Sequence, residues 1–359
     1  MQKKTILHFI ADLGRGGAET MLVQDLKELD EYNNIVVTLN DNNHFENELQ
    51  CAQYICLNKK TLYSIPSSVY KFRKLIKKIK PDLVHSHLIF PNFIARLATP
   101  RSIPLINTIH NSIAHDFDYK KWIIRWLDKF TYWFRKPIII GVSKVALRDY
   151  FYFLKVKQPK SYLLYTFVNE KRFIEKEIIK EQNKMFKIVS VGALRNQKNF
   201  NFFIEAFSCM KNPDIQLHIY GHGPLENELR KKIEENSVLI ILKGEVKNLE
   251  ELLPFYDAYV SSSVFEGFSL AVLEAMAMKL PLLLTDIDSF REQCEDAAIY
   301  YRLNDKDDFL KKLNQLVFDP EKRRIISEKA QKRVLENFTL PRHISALKRI
   351  YAEIFVVKN

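Results

Sequence analysis

Val264-Phe265-Glu266-Gly267-Phe268-Ser269-Leu270, continued by Ala271-Val272-Leu273-Glu274-Ala275-Met276, decides how this 359-residue chain is read. The first seven residues carry the glycine and serine of a turn, and the next six are apolar around one glutamate. The spacing predicts a loop that enters a helix. Gly267 lets the backbone pass close to a ligand, Ser269 stands where an N-cap is expected, and free N–H groups at such a helix start suit a phosphate or sugar hydroxyls. Glu266 and Glu274 lie eight positions apart across that turn. A carboxylate at Glu274, near the second turn, accepts two hydroxyl hydrogen bonds from a ribose. Alone, the segment reads equally well as a helix with two incidental glutamates.

Upstream, Val189-Ser190-Val191-Gly192-Ala193-Leu194-Arg195-Asn196-Gln197-Lys198-Asn199 runs from a strand through a glycine turn to two cations. Arg195 and Lys198 suit paired phosphates, one as a fork and one as a point charge, and suit a solvated turn too. Leu13-Gly14-Arg15-Gly16-Gly17-Ala18-Glu19-Thr20 follows the first apolar run. Glu19 stands at the last glycine position of the dinucleotide pattern and no Walker lysine is present, so neither phosphate loop applies. Gly16 and Gly17 fit a tight strand-to-helix turn as well as a loop that approaches phosphate. Thr108-Ile109-His110-Asn111 ends a further strand. His85 and His87 alternate on one strand face with no third ligand at a recognisable spacing, and we expect no metal there. Asp116-Phe117-Asp118 and Asp286-Ile287-Asp288 have a D-x-D form that can hold a divalent metal on a diphosphate, and both are read as decoys.

Apolar strand-like runs alternate with helix-period segments throughout, which predicts parallel α/β sheets. The strand candidates are Thr5–Ile10, Asn34–Leu39, Leu83–Ser86, Leu105–Thr108, Ile138–Val142 and Ser161–Leu164, then Phe186–Val191, Gln216–Tyr220, Leu239–Leu242, Ala258–Val260 and Leu282–Leu284. A polar, charged connection over 167–184 separates the two sets. His343 to Phe355 reads as a terminal helix. The expected domains are 1–168, 169–340 and a tail over 341–359.

Together these segments resemble the retaining GT-B glycosyltransferases of family four, of the bacterial surface polysaccharide type. The resemblance runs from about residue 8 to 353 and is strongest over 186–286. It rests on the glutamate–seven residues–glutamate block, on Gly221-His222-Gly223-Pro224, Lys243-Gly244-Glu245-Val246 and Gly141-Val142-Ser143, and on the G-G-x-E loop. It implies two Rossmann-like domains facing across a cleft, with the terminal helix returning to the first. The first domain would bind the acceptor and the second the nucleotide-sugar. By the same resemblance Glu266 meets the donor sugar, Glu274 the ribose, and His110 the sugar from the first domain. Gly16, Gly17, Arg195, Lys198, Gly244, Val246, Gly267, Phe268, Ser269 and Leu270 complete the donor site. Arg195 stands two residues after the family's arginine position, here Ala193, and Thr166-Phe167 replaces an Asn-Gly pair before the linker. The implied reaction is metal-independent and cofactor-free transfer from a nucleotide-sugar, UDP before GDP, to a glycan or lipid-linked acceptor of capsule or lipopolysaccharide. The rival readings are a sugar-nucleotide epimerase and a non-catalytic polyanion binder. Neither explains the paired glutamates.

Composition sets the compartment and the partners. Apolar residues make up 47% of the chain and the net charge is +12. The charge is uneven: residues 51–168 hold 21 Lys and Arg against 5 Asp and Glu. That imbalance favours an anionic surface or substrate near the first domain. Nucleic acid is not expected, because it leaves the glutamate block unexplained. No apolar run reaches the length of a membrane span, no cleavable leader is evident and the four cysteines have no C-x-x-C spacing. The expected location is the cytoplasm, at the inner face of the cell membrane. From Tyr119 to Lys136 the chain reads Y-K-K-W-I-I-R-W-L-D-K-F-T-Y-W-F-R-K and holds all three tryptophans. Lys121, Trp122, Arg125, Trp126, Lys129 and Trp133 lie at helical spacing and fit an interfacial helix or a core helix with a charged rim. Lys71 to Lys80 is a second basic amphipathic segment.

Overall fold

The structure, a computed structural model, describes residues 3–58, 64–113, 118–155, 160–173 and 185–356. It divides into two compact units. One takes in the chain up to Thr166 together with the residues from Pro341 on, and the other is Phe167–Leu340. The charged connection expected over 167–184 lies outside the described residues from 174 on.

The first unit runs β1 (Thr5–Ile10), α1 (Gly17–Glu28), β2 (Asn33–Thr38), β3 (Gln53–Cys56), α2 (Ile65–Ile79), β4 (Leu83–His87), α3 (Ile89–Ala98), β5 (Leu105–Ile109), α4 (Trp122–Arg135), β6 (Ile138–Gly141), α5 (Lys144–Leu154) and β7 (Ser161–Leu163). Its seven strands form one sheet in the order β3-β2-β1-β4-β5-β6-β7, with every pair parallel. Parallel pairing needs both faces covered. Phe9, Val84 and Leu105 pack under α2 and α3 through Phe72, Ile76, Ile94 and Ala98. On the opposite face Ile6, Leu83, Ile106 and Ile140 pack against Leu347, Ile350, Tyr351 and Ile354 of the terminal helix.

The second unit runs β8 (Phe186–Val191), α6 (Phe200–Ser208), β9 (Ile215–Tyr220), α7 (Glu226–Asn236), β10 (Ile240–Gly244), α8 (Leu249–Leu252), β11 (Ala258–Ser261), α9 (Leu270–Ala277), β12 (Leu282–Thr285), α10 (Asp288–Cys294), β13 (Ile299–Tyr301), α11 (Lys306–Phe318) and α12 (Pro320–Asn337), followed by α13 (Leu340–Val356). Its parallel sheet is ordered β10-β9-β8-β11-β12-β13. Phe202, Phe203, Tyr301 and Phe309 pack together in its core, with ring centroids 5.0–5.9 Å apart.

Every strand read from the sequence is present, with ends shifted by a residue or two. Two strands went unread. β3 and β13 are outermost strands of three or four residues, too short and, in β3, too polar to stand out as apolar runs. The terminal helix begins at Leu340, three residues before the expected start.

Candidate active site

The donor-type residues gather where the strands of the second sheet end. Glycines allow those ends to come together. Gly192 N donates to Tyr220 O (2.9 Å), Leu194 N to His222 O (3.1 Å) and Gly221 N to Gly244 O (2.8 Å), lacing the loops after β8, β9 and β10. Gly221 has φ +146°, and a Cβ there would lie 1.9 Å from Gly192 O, so no other residue fits. Gly244, with φ +75°, needs glycine for its conformation alone.

The loops after β8 and β11 are stitched by side chains. Lys198 Nζ lies 2.7 Å from Glu266 Oε1, which also accepts from Ser263 Oγ at 2.7 Å. Gln197 Nε2 donates to Phe265 O (3.0 Å), and Ser262 Oγ donates to Lys198 O (2.7 Å). Glu266 is thus 6% exposed and ion-paired. Sequence reasoning gave Lys198 and Glu266 separate ligands and missed that they hold one another. Arg195, just before this turn, is exposed.

At the start of α9, Ser269 occupies the N-cap with extended backbone, yet its side chain makes no capping bond. Gln293 of α10 instead holds the backbone of the cap residue: its Oε1 accepts from Ser269 N (2.9 Å) and its Nε2 donates to Ser269 O (2.8 Å). The Ser269 amide is therefore spent. The first-turn amides of Leu270, Ala271 and Val272 precede the first helical bond, Leu273 N to Ser269 O at 3.2 Å, and point outward from the helix start. Gly267 is buried in the turn before them. The Phe268 side chain is packed edge-on against Phe338 at 4.9 Å, so only its backbone is available to a ligand.

Glu274 lies one turn further along α9, partly buried. Burial pushes its carboxyl up to about 8; nearby Arg172 opposes that shift and Glu250 adds to it. Arg172 is itself paired to Glu250, Nη2 to Oε1 at 2.8 Å. No motif marked either residue, nor Gln293. Val246 follows the Gly244 turn. Asp286 is held in a two-point pair by Arg291 (2.6 and 2.8 Å). In the first triplet Asp116 and Phe117 lie outside the described residues.

In the first unit α1 starts at Gly17 with Gly16 as N-cap. A Cβ on Gly16 would lie 2.2 Å from Glu19 Oε2, so the glycine makes room for the first-turn glutamate. His110 follows β5, its Nε2 3.2 Å from His87 Nδ1. Behind it runs a seam of buried imidazoles. His85 sits between Tyr351 OH and Thr108 Oγ1, 2.7 Å from each, and His8 Nε2 donates to Asn34 Oδ1 at 3.1 Å. His8, His85 and His87 come within 4.8 Å of one another. The third histidine that the spacing of His85 and His87 lacked is thus supplied by β1. Both His85 nitrogens are taken by hydroxyls, whereas His8 Nδ1 and His87 Nε2 are buried without a hydrogen-bond partner among the described residues. Burial lowers His110 to about 4, helped by His343, and holds His87 well below the usual histidine range. Burial therefore favours the neutral imidazole at His110. Lys121, Trp122, Arg125, Trp126, Lys129 and Trp133 all lie on or beside α4, in the same unit.

Residues 15–172 match the family model described as Glycosyltransferase Family 4, and residues 171–333 the one described as Glycosyl transferases group 1. The chain is a group 1, family-four glycosyltransferase. The UDP-Gal:alpha-D-GlcNAc-diphosphoundecaprenol alpha-1,3-galactosyltransferase of Escherichia coli is 25% identical to this glycosyltransferase over 330 residues, 85% of this chain and 83% of that protein. A Campylobacter jejuni relative, N-acetylgalactosamine-N,N'-diacetylbacillosaminyl-diphospho-undecaprenol 4-alpha-N-acetylgalactosaminyltransferase, is 24% identical over 359 residues, 93% of this chain and 95% of its own. The crystal structure of Anabaena HepE in complex with UDP superposes with a TM-score of 0.82 at 14% identity, covering 97% of this chain and 100% of that one. That likeness assigns the glycosyltransferase to the GT-B fold.

Proposed function

We propose that this glycosyltransferase moves a sugar from a UDP-sugar, with a GDP-sugar as second choice, to a lipid-linked or glycan acceptor of a bacterial surface polysaccharide, with retention of anomeric configuration. The observation that carries the reading is the grouping of Glu266, Lys198, the α9 first-turn amides and Glu274 beyond the ends of the central strands β8 and β11 of the second sheet. Similarity to enzymes named for undecaprenol-linked acceptors supports the acceptor class, and similarity to a structure that holds UDP supports the base.

In this reading Glu274 accepts the ribose hydroxyls, and Gly244 and Val246 border the base. The amides of Leu270 to Val272, with Arg195 and Lys198, stabilise the charge that develops on the departing diphosphate. A diphosphate competes with Glu266 for Lys198, which frees the Glu266 carboxylate for the sugar hydroxyls. The first unit binds the acceptor and supplies Gly16, Gly17 and neutral His110 as hydrogen-bonding groups. No side chain is placed as a nucleophile. The bond from the anomeric carbon to the diphosphate oxygen breaks, the acceptor oxygen bonds on the same face, and the acceptor proton passes to the departing phosphate. The cations and amides take the role of a divalent metal, so the reaction proceeds without metal or cofactor. The site of action is the cytoplasmic face of the membrane, where lipid-linked acceptors are met. Proton NMR of the product tests the reading: retention with full activity in EDTA is expected. Inversion, or loss of activity restored by a divalent cation, refutes it.

A further inference from the structure

α4 turns its largest apolar side chains outward. Trp122 is 74% exposed and Trp126 and Trp133 each 52%, with Phe130 and Phe134 beside them. Trp126 stacks on Phe130 at 5.1 Å. The buried residues of the helix include Asp128 and Thr131. An amphipathic helix packed on a core normally shows the reverse order.

A buried ion pair sets this orientation. Arg96 of α3, fully buried, reaches Asp128 at 2.5 Å and also donates to Asn107 Oδ1 (2.6 Å) and Tyr150 OH (2.7 Å). Tyr119 OH donates to Asp128 Oδ2 at 2.6 Å. Turning α4 to bury its tryptophans would leave the Arg96 charge in the interior without its partner, a costly arrangement. The aromatic face is therefore a fixed outer surface.

The fold also brings the second basic segment to the same side. α3 packs between α2 and α4 on one face of the sheet. α2 has no acidic residue and exposes Lys71, Arg73, Lys74, Lys77 and Lys78 beside Tyr70. Lys121 and Arg125 border the tryptophans, and Lys136 Nζ lies 5.2 Å from the Trp133 ring. No helix among the described residues is long and apolar enough to cross a membrane.

We infer that the α2–α4 face docks on the anionic surface of a phospholipid bilayer, with the indoles at headgroup depth and the cations on lipid phosphates. Tryptophan is favoured at that depth, and charge of a single sign beside it suits an anionic sheet. Docking stands independently of the glycosyl-transfer reading, because it uses none of the donor-site residues.

The test is sedimentation of the full chain with vesicles of phosphatidylglycerol and phosphatidylethanolamine, against phosphatidylcholine alone, with tryptophan emission recorded. All three tryptophans lie on α4, so the emission reports this helix alone. Expected are binding to the anionic vesicles at low salt, a blue shift on binding, and release at high salt. Trp122→Ser with Trp126→Ser should weaken partitioning at least about tenfold. Lys71→Glu, Lys74→Glu and Lys77→Glu together should remove the salt-sensitive part. Both variants should keep the wild-type melting temperature and nucleotide affinity. Absence of binding to anionic vesicles overturns the inference, as does binding without a blue shift. A self-associated species that the tryptophan variants abolish would also overturn it, by assigning the face to a second copy.

Discussion

At the scale of single residues, burial of the Glu274 carboxyl works against stability. Its carboxyl, near 4.5 in an unfolded chain, is pushed up to about 8 by burial. Between those values the folded protein holds a proton that the unfolded chain has lost, so the raised pKa costs stability as pH rises from 4.5 to 8. Glu274→Gln cannot ionise and escapes that cost. Its unfolding free energy, read by urea unfolding, should match the wild type near pH 4.5 and exceed it increasingly up to pH 8, by about 1–3 kcal/mol at the top. A pH-independent difference between the two proteins would show that burial of this carboxylate is not the cause. Glu266 and Lys198 make a different test, because each is the other's partner. Removing one leaves the other partly buried and unpaired. Glu266→Ala should lower turnover by at least about a hundredfold with little change in nucleotide affinity, and a purely structural glutamate would leave turnover per folded molecule unchanged. These roles were legible in the sequence only as residue types at a spacing. The Lys198–Glu266 contact was not, because 68 positions separate the two residues and the sheet joins them.

At the scale of elements, the α9 start is held by a neighbour and not by its own cap. Ser269 occupies the N-cap, as the sequence implied, but Gln293, 24 residues on and fully buried, satisfies both its amide and its carbonyl. Nothing local marks a glutamine in α10 as a clamp on α9. Gln293→Leu should cost about 1–3 kcal/mol, since the buried Ser269 amide loses its acceptor while the Ser269 carbonyl keeps Leu273 N, and urea unfolding measures it. A cost below about 0.5 kcal/mol would mean that the turn is held by other means. α4 carries the same lesson. Its aromatic period was plain from the sequence, but periodicity does not say which side faces in. Arg96 and Asp128, 32 residues apart, decide that. Glycine turns, by contrast, were legible because the requirement is local: Gly221 and Gly244 have positive φ, and each was marked by its motif.

For the whole molecule, two parallel sheets follow from alternating apolar runs, and the two that escaped notice, β3 and β13, are short strands at sheet edges. Strand order was beyond the sequence, since it depends on which faces the crossovers cover. The histidine seam escaped for a related reason. His8 comes beside His85 only because β1 pairs with β4, in register His8 to His85. Family membership, the GT-B fold and the grouping of donor-type residues at the ends of one sheet are the grounds for the proposed nucleotide-sugar site around Glu274. Isothermal titration of UDP in EDTA, into the full chain and into Glu274→Ala, tests that claim most directly. The account predicts metal-independent binding that the substitution weakens at least about tenfold, or about 1.4 kcal/mol, as the ribose hydroxyls lose their acceptor. Equal affinity in the two proteins, or binding that appears only with a divalent cation, would contradict it.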